Sequence, residues 1–97
     1  MQLDPAHLSI IQTILQKHLP LATVYLFGSR AANTAKKFSD IDLLVQDKNP
    51  LSLALQSALR EDFSKSALPF TVDIVDAQTV TSTFRTQIMR EAVRIKN

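Results

Sequence analysis

Residues Leu26–Val45, LFGSRAANTAKKFSDIDLLV, decide how the chain is read. They join an apolar run, ended by the only glycine in the sequence, to a run that alternates acids with aliphatic residues. Ala22–Phe27 is compact, apolar and rich in strand formers, which predicts a buried strand closed by Gly28. Ser39–Val45 predicts a second strand, with Asp40 and Asp42 on one face and Ile41 and Leu43 on the other. Between them Ser29–Lys37 has small residues and no apolar stripe, and a short helix is expected there.

On the N-terminal side, Asp4-Pro5 reads as a helix start: a capping acceptor, then a residue whose missing N–H costs nothing at the first helical position. Leu8, Ile11, Ile14, Leu15 and Leu19 follow at helical spacing until Pro20. On the C-terminal side, Asn49-Pro50 repeats the cap-plus-proline signal, and Leu51, Leu55, Leu59 and Phe63 form the stripe of another helix. Phe70–Val75 predicts a third strand with Asp73 in its middle. Thr81–Ile95 sets Phe84, Ile88, Ala92 and Ile95 on one face and Arg85, Arg90 and Arg94 away from it, predicting a C-terminal helix. The order is that of an α/β (α+β) domain, helices packed on a small sheet.

With 97 residues, 1–97 is expected to be a single domain without a second lobe for an acceptor. The absence of cysteine removes a disulfide scaffold, a thiolate zinc site and a cysteine nucleophile. A net charge of +2 is too small to predict nucleic-acid binding by bulk electrostatics. The N-terminal residues lack the pattern of a secretion signal, and no apolar run approaches the ~18 residues of a membrane span. A cytoplasmic protein is the simplest expectation.

The three aspartates in strands are what a plain fold does not explain, because strand propensity disfavours them and desolvation without partners is costly. Residues i and i+2 share a face about 6.6 Å apart, so Asp40 and Asp42 converge, joined by Asp73 if its strand is adjacent. Such carboxylates raise one another's pKa unless a cation neutralises them, and an all-oxygen set of this kind suits Mg²⁺ completed by substrate phosphates. Taken singly, Asp40 also reads as a turn residue and Asp73 as a solvent-facing edge residue. Gly28-Ser29 supplies backbone access, free N–H groups and a hydroxyl for phosphate oxygens, although a lone Gly-Ser is also simply a turn. Arg30, Lys36 and Lys37 lie where they would meet a triphosphate or, alternatively, water. Asp47, Asp62 and Asp76 read as solvated, and His7 and His18 as surface helix residues.

Gly28-Ser29, ten intervening residues, Asp40-Ile41-Asp42, and later Val72-Asp73-Ile74 resemble the signature of the polymerase-beta-type nucleotidyltransferases. Within that superfamily the chain is most similar to the minimal nucleotidyltransferases, the MntA-like antitoxins, through Leu26–Val45 and through Phe84, Ile88 and Glu91. It departs from their common Gly-Ser-Arg-Ala-Arg-Gly at Ala32 and Asn33, where Asn still tolerates a left-handed turn, and Ala92 stands where glycine is common. The resemblance implies a small mixed sheet flanked by helices. It also implies Mg²⁺ held by Asp40, Asp42 and Asp73, and ATP phosphates bound by Gly28, Ser29 and Arg30. The expected reaction moves AMP from ATP onto a tyrosine of a partner HEPN RNase toxin, inactivating it. A heterocomplex with the toxin is implied, and exposed apolar area would also suit a homodimer. The alternatives are an antitoxin that acts by binding alone, and transfer to a small molecule or RNA, for which the chain has no additional domain.

Overall fold

The computed structural model describes residues 1–97. Helix α1, Pro5–His18, begins as the sequence predicts, with the Asp4 carboxylate accepting the Ala6 N–H at 2.8 Å. Strand β1, Thr23–Phe27, runs into a single 3-10 turn, Gly28–Arg30, and the expected helix over Ser29–Lys37 does not form. The small residues after that turn have no apolar stripe with which to pay for helical ordering against the core. Asn33 adopts the left-handed conformation at φ 59°, as its side chain allows.

Strand β2, Ile41–Gln46, is followed by α2, Leu53–Lys65, and β3, Val72–Asp76. The cap of α2 is Ser52, whose hydroxyl accepts the Leu55 N–H at 3.1 Å, and Asn49-Pro50 lies outside the helix. The predicted C-terminal helix over Thr81–Ile95 is corrected: α3 stops at Ser82–Met89 and the chain turns into a fourth strand, β4, Val93–Lys96. Val93-Arg94-Ile95-Lys96 alternates with a period of two, a strand signal concealed because Ala92 and Ile95 also continue the helical spacing.

The sheet order is β3-β2-β1-β4. β1 is antiparallel to both β2 and β4, while β2 and β3 are parallel, so the sheet is mixed. One face carries Val24, Leu26, Ile41, Leu43, Val45 and Val72 against Ile11, Leu15 and Leu19 of the first helical segment and Leu59 and Phe63 of α2. The other face is thinner: Leu44 packs with Ile88 of α3 and Ala77, flanked by Tyr25, Phe27 and Val75. Alternation along the strands places Asp42 and Asp73 on this second, lightly covered face.

Two acids expected to be solvated are not. Asp76 is buried at 8% exposure and accepts the Leu51 N–H at 2.8 Å and the Gln78 N–H at 2.9 Å, fixing the approach to α2 against the end of β3. Asp62 meets His18 at 2.6 Å and Lys17 at 3.1 Å, bonds that hold its carboxyl below the ordinary range. His18 is therefore a half-buried bridge between α1 and α2, and His7 packs edge-on against Phe70, its ring centroid at 5.2 Å. No helix is long and apolar enough to cross a membrane.

Candidate active site

Register brings the acids together. Asp42 on β2 is the partner of Asp73 on β3, which places their backbones about 4.8 Å apart with side chains on the same face. On its other flank Asp42 is the partner of Phe27, the last residue of β1, so the carboxylate stands beside Gly28. Asp40 precedes β2 by one residue and is exposed, as is Asp73, while Asp42 is half-buried. Burial, then the charge of Asp73, then that of Asp40 raise the Asp42 pKa above the ordinary carboxylate value. Nevertheless, no three His, Cys, Asp or Glu side chains stand in metal-holding geometry.

Gly28 explains why the sequence spends its glycine here. Its φ is +74°, and a Cβ at this position would overlap the Asp42 carboxylate, with Asp42 Cγ 3.2 Å away. Only glycine permits both the left-handed turn and the contact. The Gly28 carbonyl accepts the Ala32 N–H at 3.1 Å and the Ser29 carbonyl the Thr34 N–H at 2.9 Å, which fold the following turn and leave half-buried Ser29 at its mouth. A groove of about 380 Å³ opens between this turn and α3, lined by Gly28, Ser29, Thr34, Phe84, Gln87 and Glu91 among others. The chemistry of the donor set, carboxylates on paired strands with one of them half-buried, is of the kind that fits a hard divalent cation.

Arg30 departs from expectation. It is 7% exposed, and its guanidinium donates to the carbonyls of Ser39, Gln2 and Lys37, away from the mouth of the turn. Lys36 and Lys37 are exposed. Sequence reasoning assigned Arg30 to phosphate because it follows Gly28-Ser29, and a one-turn helix directs its third residue inward.

A turn-and-acid constellation at one end of three adjacent strands of a small mixed sheet is that of a nucleotidyltransferase, and the chain belongs to the polymerase beta, nucleotidyltransferase family, whose profile matches residues 10–97. It is 43% identical over 89 residues to the "Probable protein adenylyltransferase MntA" of Haemophilus influenzae, covering 92% of this chain and 78% of that protein. A crystal structure of a toxin–antitoxin with AMP-PNP superposes with a TM-score of 0.78 at 27% identity, covering 91% of this chain and 71% of that one. A structure of the tri-AMPylated Shewanella oneidensis HEPN toxin in complex with its MNT antitoxin superposes with a TM-score of 0.70 at 25% identity, over 91% of this chain and 67% of that one.

Proposed function

We propose that this chain is the antitoxin of a toxin–antitoxin pair and transfers AMP from ATP to a tyrosine hydroxyl of a HEPN-domain toxin. The observation that carries the reading is the packing of Gly28 on Asp42, with Asp73 in register beside it and Asp40 within charge range. The likeness to MntA and to a complex holding an AMPylated toxin supports the choice of acceptor.

Gly28 and Ser29 N–H groups and the Ser29 hydroxyl hold the terminal phosphates of ATP. Asp40 and Asp42 lie toward the α-phosphate end, and Asp73 faces the side from which the acceptor hydroxyl approaches. The acceptor oxygen bonds to the α-phosphorus as the bond to the bridging oxygen breaks, and pyrophosphate leaves with that electron pair. Asp73 takes the hydroxyl proton and passes it to solvent. Asp40, Asp42 and Asp73 would hold Mg²⁺, which would supply neutralisation of the phosphate charge and of the three acids. The partner supplies the surface that presents the tyrosine.

The test is the intact mass of the toxin co-purified with this chain, wild type against Asp42→Asn. Adenylate masses on the toxin with the wild type alone support the transferase. A toxin bound equally by both and never modified leaves an antitoxin that acts by binding.

A further inference from the structure

Arg30 is buried without an acid. None of the ion pairs in the protein includes it, yet removing a guanidinium from water is costly unless its donors are satisfied. Nε and Nη2 both donate to the Ser39 carbonyl, at 3.1 and 3.0 Å; Nη2 also reaches the Lys37 carbonyl at 3.3 Å, and Nη1 the Gln2 carbonyl at 3.0 Å. Arg30 Cζ lies over the Phe70 ring, 4.3 Å from its centroid, a cation–π contact that a planar guanidinium makes and an ammonium does not match.

These contacts fall on every segment that carries a proposed site residue. Arg30 follows Gly28-Ser29 directly, Ser39 precedes Asp40, and Phe70 lies three residues before Asp73. Residues 31–40 contain no regular secondary structure, so the place of Asp40 relative to the phosphate turn depends on what closes that loop. The Ser39 carbonyl, held twice by one rigid fork, is where it closes.

We infer that Arg30 is a positioning residue: its guanidinium sets the spacing of Asp40 and Asp73 from the Gly28-Ser29 turn, and so the affinity of the site for the divalent cation accompanying ATP. This rests on the function proposed above. Lys96 provides a control, being buried with no acidic side chain beside it and donating to the backbone oxygens of Pro20, Ala22 and Asn97. It lies opposite Val24, at the end of β1 remote from Gly28.

The experiment is calorimetric titration of ATP at stepped Mg²⁺ concentrations, well below each protein's melting temperature, with wild type, Arg30→Lys, Phe70→Leu and Lys96→Met. In Arg30→Lys the Mg²⁺ concentration that half-tightens ATP binding rises about tenfold, the usual cost of losing a group that orients metal ligands, while binding without Mg²⁺ changes less than about twofold. Phe70→Leu, which removes only the stacked ring, shifts it in the same direction by less and keeps the inference testable if Arg30→Lys does not fold. Lys96→Met lowers the melting temperature and leaves the Mg²⁺ dependence unchanged. Wild-type Mg²⁺ dependence in folded Arg30→Lys and Phe70→Leu overturns the inference, leaving Arg30 a fold-stabilising residue. ATP binding weakened equally with and without Mg²⁺, with AMP binding spared, overturns it in favour of direct phosphate contact. If Mg²⁺ does not tighten ATP binding to the wild type, the proposed function itself fails, a result distinct from both.

Discussion

Gly28 and Asp42 form one unit, and substitutions at either are read through the other. Gly28→Ala forces a left-handed φ on a residue with a Cβ, costing about 1–2 kcal/mol, and drives the Asp42 carboxylate from its place. Thermal melting shows the loss of stability, and transfer to the toxin falls on the order of 100-fold because the site depends on sub-ångström placement. Asp42 has a raised folded pKa. Its contribution to stability is therefore complete below the ordinary carboxylate range and is lost as pH rises through the raised value. In metal-free protein at neutral pH the ionised group opposes folding, so Asp42→Asn raises the melting temperature there, and the gain vanishes in acid. A melting-temperature profile against pH in chelator checks this, and a gain independent of pH contradicts it. The acids and the glycine were legible in the sequence because each breaks a local preference, an acid in a strand or a glycine at the close of one. Arg30 was not, since nothing local distinguishes an arginine that faces a phosphate from one that turns inward to carbonyls.

Among the elements, the first three strands and first two helices follow from apolar periodicity, and the misreadings occur where periodicity is absent, after Gly28–Arg30, or where two periods coincide, at the C-terminal segment. Phe84, Ile88, Ala92 and Ile95 fit a helix, but β1 needs a partner on the edge away from β2, and Leu26 pairs with Val93 and Tyr25 with Arg94 to supply it. Hydrogen bonding along an otherwise open edge outweighs continued helix in a segment whose helical face would cover little. Asp76 was equally hidden, because a residue at a strand end reads as solvated until the segment leading into α2 packs beside it. Its carboxylate is the partner of the buried Leu51 N–H. Asp76→Ala therefore costs about 2 kcal/mol, the penalty of leaving a buried donor unpaired. Denaturant unfolding measures that loss, and transfer by the folded variant stays close to wild type because Asp76 belongs to the opposite face from Asp73. A fall in activity equal to that of Asp73→Asn places Asp76 in the site.

For the whole molecule, the sheet has one well-covered face and one thinly covered face, and the proposed chemistry occupies the second. With only Leu44, Ala77 and Ile88 buried there, ligand binding adds appreciably to the stability of so small a fold. ATP with Mg²⁺ at about a hundredfold above Kd contributes ~2.7 kcal/mol, which raises the melting temperature of a domain this size by ~10 °C or more. Chelation abolishes most of that rise and Asp42→Asn shows little of it. An equal rise in chelator removes the cation from the account.

The sequence by itself determined the layered α/β class, three of the four strands, and which glycine and acids stand out as candidates, because apolar period and broken propensity are local properties. Only the tertiary structure decided that β2 and β3 are parallel and in the register that sets Asp42 against Asp73. It alone decided that the end of the chain crosses to the free edge of β1 and that Arg30 points into the protein. Those outcomes depend on which backbone donors and acceptors remain unpaired once the layers are packed, a quantity that no window of sequence contains.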